Sequence, residues 1–392
     1  MRPLKSLRPR SATHCKSDTI VPRVIGKTDS GIFYEKMRYY FAPLEGITGY
    51  CFRQAHHQYF PGLDAYFTPF VVATYTKKLK SREKRDVLPE NNAGVPTIPQ
   101  ILTNHAEEFL FCARYLAEFG YPEIDLNLGC PVGTVTAKGK GSGMLKNPEE
   151  MDRFLNAVCE GAEQITVTGG DGRVQPIRIS VKTRLGWEDP SEFEELLSVY
   201  ERYPLSELII HARTRQELYR GRPELEEFAK AYHRENGPTG SASAAEGADS
   251  GFSAEKMHRL TLCYNGDIWT EADVLFLEKE FPELDRVMIG RGLLADPNLV
   301  TRLAVGRKSE KKTYREFHDT LYAAYGEQFQ DDRIRINCMK ELWTFMGQSF
   351  ADTGRFVKGI HKAGNRVEYE AAVRMLFANC ELQPLRNGLQ HP

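Results

Sequence analysis

The stretch EIDLNLGCP, from Glu123 to Pro131, decides the fold of this 392-residue chain. Its apolar run ends abruptly at Gly129, and the proline that closes the stretch cannot continue a strand. The stretch therefore predicts a buried strand whose end delivers Cys130 to a surface cavity. The loop that follows, residues 132–143, is rich in glycine, lysine and threonine and could close over a bound ligand. A loop cysteine without a chemical role is the alternative interpretation.

Seven other apolar runs lie along the chain, and segments with the period of an amphipathic helix separate them. The eight runs cover residues 39–44, 65–73, 97–102, 123–128, 177–183, 207–212, 259–264 and 286–289. Strands that alternate with helices predict a parallel sheet, and eight such units in about 250 residues predict a (β/α)8 TIM barrel. The alternative is an open doubly wound sheet, which would carry a Gly-x-Gly-x-x-Gly phosphate loop after its first strand. The first turn here reads Pro43-Leu44-Glu45-Gly46 and lacks that loop.

The sequence predicts that the chain is divided into three parts. Residues 1–38 form a basic N-terminal extension, with nine Lys or Arg against three acids and no apolar segment of a signal peptide, and we expect it to be disordered. Residues 39–308 form the barrel, interrupted at 237–253 by a disordered insertion rich in glycine, alanine and serine. Residues 309–392 keep only helical periods, which predicts a small all-α domain after the barrel.

Composition limits the possible partners and compartments. The formal net charge is −1, so any nucleic-acid surface must be a local patch. No apolar run approaches the roughly 18 residues that a membrane-spanning helix needs. The eight cysteines are scattered and include no Cys-x-x-Cys pair, which argues against a zinc site and against a disulfide framework. We therefore expect a cytoplasmic protein without a metal, and a monomer by default.

Polar residues and glycines stand at the predicted ends of nearly all strands, where the active site of a β/α barrel forms. Each of them alone could be a solvated rim residue, but together they predict one ligand site. Glycines and a forked arginine in the last two turns favour a bound phosphate, with simple tight turns as the alternative. Amide and cationic donors across the mouth suit the N1–C2 side of a flavin. The sequence thus predicts FMN, held by Ala42, Pro43, Leu44, Glu45, Gln100, Lys182, His211, Asn265, Gly266, Asp267, Gly290 and Arg291.

The ordered motifs APLEG, NLGCP, VKTRLG, HARTR, NGD and IGRG resemble those of the tRNA-dihydrouridine synthase family. The likeness runs from about Tyr39 to Asp296 and extends more weakly into the helical tail. The NLGCP segment with its glycine- and lysine-rich loop is the most family-specific part, because the other motifs recur in several flavin barrels. The family often has Thr-Asp where this chain has Thr48-Gly49, a departure that affects only a local turn contact.

The resemblance implies an enzyme that uses NADPH to reduce uridine in tRNA to 5,6-dihydrouridine. Saturating the C5–C6 bond requires a hydride on one carbon and a proton on the other. We expect reduced FMN to give the hydride to C6 and Cys130 to give the proton to C5. A thiol near its usual pKa of about 8.5 is mostly protonated at neutral pH and can serve as an acid.

The substrate would contact both the barrel and the helical tail. We expect Asn127 and Arg184 to hold the polar edge of the uracil, and Tyr219 to stack on the base or bond its ribose, although it could be an ordinary loop aromatic. A basic patch in the helical domain would bind tRNA phosphates. The full set expected to bind substrate is Asn127, Arg184, Arg213, Tyr219, Arg355, Lys358 and Lys362. A flavin barrel that reduces a free small molecule, like a pyrimidine dehydrogenase, and an RNA-binding module without catalysis are the competing interpretations.

Overall fold

A computed structural model describes residues 37–73, 79–169, 172–236, 258–385 and 388–389. The predicted insertion at 237–253 and residues 1–36 of the predicted N-terminal extension lie outside the described residues.

Strands and helices alternate along the described chain as the sequence predicts. The strands are β1 (Arg38–Phe41), β2 (Ala65–Phe67), β3 (Val71–Val72), β4 (Thr97–Ile98), β5 (Gln100–Leu102), β6 (Glu123–Asn127), β7 (Thr166–Thr168), β8 (Val174–Pro176), β9 (Arg178–Arg184), β10 (Glu207–His211), β11 (Leu262–Asn265) and β12 (Arg286–Ile289). The helices are α1 (Tyr50–Tyr59), α2 (Ser81–Val87), α3 (Ala106–Glu118), α4 (Gly133–Thr136), α5 (Pro148–Ala162), α6 (Phe193–Tyr200), α7 (Leu225–Asn236), α8 (Glu271–Glu280), α9 (Arg291–Ala295), α10 (Leu299–Val305), α11 (Lys311–Gln328), α12 (Asp332–Met346), α13 (Gly354–Lys362) and α14 (Arg366–Asn379).

The parallel strands close into a barrel. β6, β9, β10, β11, β12 and β1 are neighbours in that order, and β1 also pairs with β2. β2 pairs with β4 while β3 pairs with β5, so β2 and β3 act as one interrupted strand and β4 and β5 as another. Since β5 pairs with β6, the circuit of eight strands is complete. The predicted TIM barrel is confirmed, and β7 and β8 form a separate antiparallel hairpin.

Prolines interrupt two of the predicted strands. Pro99 separates β4 from β5, and Pro69 follows Thr68 between β2 and β3. A proline cannot donate to the hydrogen-bond ladder, so the ladder breaks at these points. Thr68 spans the break, because its N–H donates to Ile98 O at 3.0 Å and its Oγ1 accepts the N–H of Gln100 at 3.1 Å.

Alternate residues of each strand face the two sides of the barrel wall. Tyr39 and Phe41 pack outward, and the ring of Phe41 meets that of Phe52 on α1 at 5.4 Å. Tyr40 points inward, where its hydroxyl donates to Glu207 at 2.8 Å. Buried aliphatic and aromatic side chains thus fill both the interior and the layer between the barrel and its helices.

The helices after the barrel pack directly on it, and the described residues from Met37 onward belong to one compact unit. The ring of Phe317 on α11 lies 5.9 Å from that of Phe52, and the hydroxyls of Tyr59 and Thr320 are 2.8 Å apart. Ser349, after α12, donates to Ala295 O at 2.6 Å. The chain from α11 to α14 is helical, as expected, and the domain boundary at 308/309 stays a prediction.

Candidate active site

A cleft with about 510 Å³ of empty space, part of it open solvent, lies at the C-terminal ends of the strands. The ends of β1, β9, β10, β11 and β12 supply most of its lining. Eleven residues from the predicted set line it: Ala42, Pro43, Leu44, Lys182, His211, Tyr219, Asn265, Gly266, Asp267, Gly290 and Arg291. The convergence of strand ends that the sequence predicts therefore places these side chains around one space.

Four further lining residues were not predicted: Ile268, Trp269, Met288 and Gly292. Met288 lies on β12 at an inward position, so the period-two alternation of that strand could have identified it. Gly292 permits a close approach, since a Cβ atom there would lie 2.0 Å from Ile268 O. Nothing in the sequence singles out Trp269.

Positive charge dominates the cavity. Lys182 and Arg291 line it, while Arg184 and Arg213 lie buried behind it. Burial, followed by the charge of Arg184, lowers the pKa of Lys182 to about 8. Burial and these four cations hold the pKa of His211 well below its ordinary value, so the imidazole is neutral at pH 7. This excess of positive charge suits an anionic ligand.

Asp267 is the one acid among the described residues that line the cavity, and it holds two arginines. Arg213 Nη2 donates to its Oδ2 at 2.5 Å, and Arg291 Nη2 donates to its Oδ1 at 2.6 Å. Arg213 also donates to the carbonyls of Arg220 and Gly221, and its side chain is fully buried. Arg213 thus fastens the loop after β10, and its expected contact with substrate stays a prediction.

A chain of side-chain hydrogen bonds runs beneath the mouth. Asn127 Nδ2 donates to Gln100 Oε1 at 2.7 Å, and Gln100 Nε2 donates to Asp125 Oδ2 at 2.6 Å. Ser180 Oγ donates to the other oxygen of Asp125 at 2.9 Å. Burial raises the pKa of Asp125 to about 8. Neither Gln100 nor Asn127 is among the lining residues, so both lie behind the cavity wall.

Cys130 lies on a backbone that its neighbours hold in place. Asn127 Oδ1 accepts the N–H of Cys130 at 2.8 Å, and Arg184 Nε donates to Gly129 O at 2.8 Å. Gly141, with φ at +58°, packs so closely that a Cβ atom there would lie 2.8 Å from Cys130 O. Burial raises the pKa of the Cys130 thiol, which keeps it protonated at neutral pH. The thiol is half-buried, and the nearby charges of Arg184 and Lys182 act in the opposite direction, lowering its pKa.

Tyr219 stands half-exposed at the mouth between two guanidinium groups. Its ring centre lies 5.4 Å from Cζ of Arg184 and 5.0 Å from Cζ of Arg291. The same ring lies 5.9 Å from that of His211. Arg184 Nη1 donates to the carbonyl of Leu218, a residue with φ at +58°, so the tyrosine sits on a clamped loop.

Other predicted residues lie away from the cavity. Glu45 is exposed and forms an ion pair with Arg82 on α2. Arg355, Lys358 and Lys362 are exposed on α13, where spacings of three and four residues place them on one helix face. Within the described ranges, no cluster of His, Cys, Asp or Glu could hold a metal ion. None of the helices described is both long enough and apolar enough to cross a bilayer.

Comparison with known proteins gives one family. The family model described as dihydrouridine synthase matches residues 40–232. A probable tRNA-dihydrouridine synthase of Staphylococcus epidermidis is 29% identical over 259 residues, which cover 65% of this chain and 68% of that protein. The Staphylococcus aureus protein of the same name is 28% identical over 299 residues, or 75% and 79% of the two chains. Probable tRNA-dihydrouridine synthase 2 of Bacillus subtilis is 29% identical over 260 residues, or 65% and 69%.

Proposed function

Because this chain belongs to the dihydrouridine synthase family and is an oxidoreductase, we propose that it reduces uridines in tRNA to 5,6-dihydrouridine. NADPH is the proposed electron donor and FMN the proposed cofactor. The observation that carries the proposal is the half-buried thiol of Cys130, which does not line the cavity but lies close enough to Lys182, a lining residue, for the two groups to interact electrostatically. The described cysteines are free thiols, which supports a cytoplasmic location.

The donor set of the cavity fits a flavin mononucleotide. Arg291 and the glycine-containing turns after β11 and β12 supply donors for a phosphate. Lys182 supplies a positive charge for the polar side of the ring, and Met288 and Trp269 supply apolar contacts. Gln100 would support the site from behind the cavity wall and would not bind the flavin through its amide, because that amide is already hydrogen-bonded to Asp125 and Asn127.

Cys130 and the residues around it explain where the proton added to C5 of the uracil comes from. When bound and reduced by NADPH, FMN would supply the hydride that C6 of the uracil receives. Cys130 then donates its thiol proton to C5, and the thiolate recovers a proton from solvent, so one NADPH and one proton are consumed per uridine. A raised thiol pKa keeps this acid protonated at neutral pH. Asn127 and Arg184 hold the backbone that carries the thiol, and the exposed ring of Tyr219 is available to stack on an extruded base.

The experiment compares Cys130→Ala with wild type on an unmodified tRNA transcript. Bound flavin makes the purified protein yellow, with absorption bands near roughly 370 and 450 nm. We expect the variant to keep these bands and to lose dihydrouridine formation. Cys338→Ala, which removes another half-buried thiol on α12, is the matched control and should turn over normally.

Three outcomes would contradict the proposal. Normal tRNA reduction by Cys130→Ala removes the cysteine from its role. A colourless wild-type protein that binds tRNA favours an RNA-binding module. A yellow protein that reduces free uracil and ignores tRNA favours an enzyme of small molecules.

A further inference from the structure

Trp187 gathers two cations at the rim of the barrel mouth. Lys146 Nζ lies 3.9 Å from the centre of its ring, and Arg215 Cζ lies 4.5 Å from the same centre. The three residues come from three different loops, which follow β6, β9 and β10. Contacts of cations with an indole ring are the strongest of their kind among side chains, so the ring holds both charges in place.

Backbone hydrogen bonds tie this cluster to the segment that carries Cys130. The N–H and Oγ of Ser142 donate to Cys130 O at 3.1 and 2.9 Å, and the short turn that they begin ends at Lys146. The N–H of Arg215 donates to Gly186 O at 2.8 Å. The cluster therefore lies on the Cys130 side of the mouth. None of its three members lines the cavity.

Among the residues that the structure describes, no carboxylate forms an ion pair with Lys146 or Arg215, and Arg215 Nε is buried without a hydrogen-bond partner. Two acids of the adjacent loops accept hydrogen bonds from backbone amides instead. Glu192 accepts the N–H of Trp187 at 2.6 Å, and Glu217 accepts a backbone N–H of its own loop at 2.6 Å. Two fixed cations that lack a partner carboxylate suit an external anion.

We propose that Lys146 and Arg215, held on Trp187, bind phosphates of the RNA chain beside the target nucleotide, an inference that rests on the proposed function. If Cys130 faces the uracil, the RNA backbone on either side of that nucleotide must pass over the rim next to it. Cations already ordered on an aromatic ring lose little side-chain entropy when they bind. NADPH carries the same phosphate chemistry, but RNA is favoured because the cluster lies outside the cavity and along the rim.

The test measures direct binding of an unmodified tRNA transcript by fluorescence anisotropy, over a series of KCl concentrations. The double variant Lys146→Gln with Arg215→Gln should weaken binding on the order of tenfold and lower the salt slope by about 2, roughly 1 per phosphate contact. Lys146→Gln alone, at an exposed side chain, should lower the slope by about 1 and guards against misfolding of the double variant. Trp187→Leu keeps both charges, so it should weaken binding while the salt slope stays near that of wild type.

Lys279→Gln is the matched control, since it removes the same charge from the last turn of α8, at the opposite end of the barrel. It should bind tRNA like wild type. Unchanged affinity and salt slope in the double variant would overturn the inference. A rise in KM for NADPH that exceeds the loss of tRNA affinity would overturn it in favour of the dinucleotide. Because binding is measured directly, failure of tRNA reduction in wild type would refute the proposed function and leave this test intact.

Discussion

Asn127 Oδ1 accepts the backbone N–H of Cys130 at 2.8 Å, while Nδ2 of the same amide donates to Gln100 at 2.7 Å. Both ends of the Asn127 side chain are therefore used within the protein. Through Gln100 the chain of hydrogen bonds continues to Asp125 inside the barrel. Buried polar groups therefore hold the backbone that carries the thiol.

Asn127→Ala should remove the side-chain hydrogen bond that holds the backbone of Cys130. The change leaves buried partners without hydrogen bonds, so we expect the free energy of unfolding to fall by about 1–3 kcal/mol. Dihydrouridine formation should fall further than stability suggests, with flavin still bound. Urea unfolding, flavin absorbance and single-turnover reduction of tRNA measure the three quantities. Asn156→Ala, at an exposed amide on α5, is the control; wild-type turnover in Asn127→Ala would show that the amide does not position the thiol.

Asp125 should make stability depend on pH. Burial raises its pKa to about 8 in the folded protein, against about 3.9 in an unfolded chain. Between these values the folded state holds a proton that the unfolded state has released, so this group lowers the free energy of unfolding as pH rises. The loss is at most about 1.4 kcal/mol per pH unit.

Asp125→Asn removes this titration and can still bond Gln100 and Ser180. Relative to wild type, the variant should therefore gain stability steadily from about pH 5 to pH 8. Urea unfolding at several pH values measures the difference. A difference between the two proteins that stays constant with pH would show that the carboxyl is ionised throughout this range.

The ion pair between Asp267 and Arg213 should be costly to break. Asp267→Asn leaves a fully buried guanidinium without its counter-charge, so we expect a loss of about 3 kcal/mol, at the low end for buried pairs because the carboxylate is partly exposed. Glu370→Gln, which breaks an exposed pair with Arg366, should cost less than about 1 kcal/mol. Equal effects of the two substitutions on urea unfolding would contradict this ranking.

The basic face of α13 should contribute to tRNA binding. Lys358→Glu with Lys362→Glu reverses two exposed charges and should raise the KM for tRNA several-fold, more strongly at low salt. NADPH oxidation by oxygen needs no tRNA and reports whether the barrel is intact. Lys312→Glu, at an exposed lysine on α11, is the control. An equal loss of both activities would point to misfolding instead of an RNA contact.

Strand positions were largely readable from the sequence. β12 has the bounds of its predicted run, and β6 ends one residue before its run does, because glycine and proline delimit these apolar segments. The interruptions at Pro69 and Pro99 were not predicted, although a proline inside a run indicates such a break. The hairpin of β7 and β8 was also missed; β8 is exposed, so its sequence has no apolar alternation.

The partners of the polar residues were less predictable. Gln100 and Arg213 were predicted as ligand-binding groups because they occur near strand ends. Their hydrogen bonds to Asp125 and Asp267 join residues 25 and 54 positions apart, which no local pattern reveals. Local patterns place residues at the mouth of the barrel, whereas only the folded geometry distinguishes those that line the cavity from those that support it.

The side chain of Thr68 has a consequence for the barrel wall as a whole. Its hydroxyl accepts the N–H of Gln100 where prolines interrupt the backbone ladder between the two strands. This hydrogen bond also helps to fix the position of Gln100. A valine at this position has the same shape but no hydroxyl, so the N–H of Gln100 would lose its hydrogen-bond acceptor. Because Gln100 is hydrogen-bonded to Asn127, and Asn127 to the N–H of Cys130, loss of the Thr68 hydroxyl would disturb the hydrogen bonds that lead to Cys130.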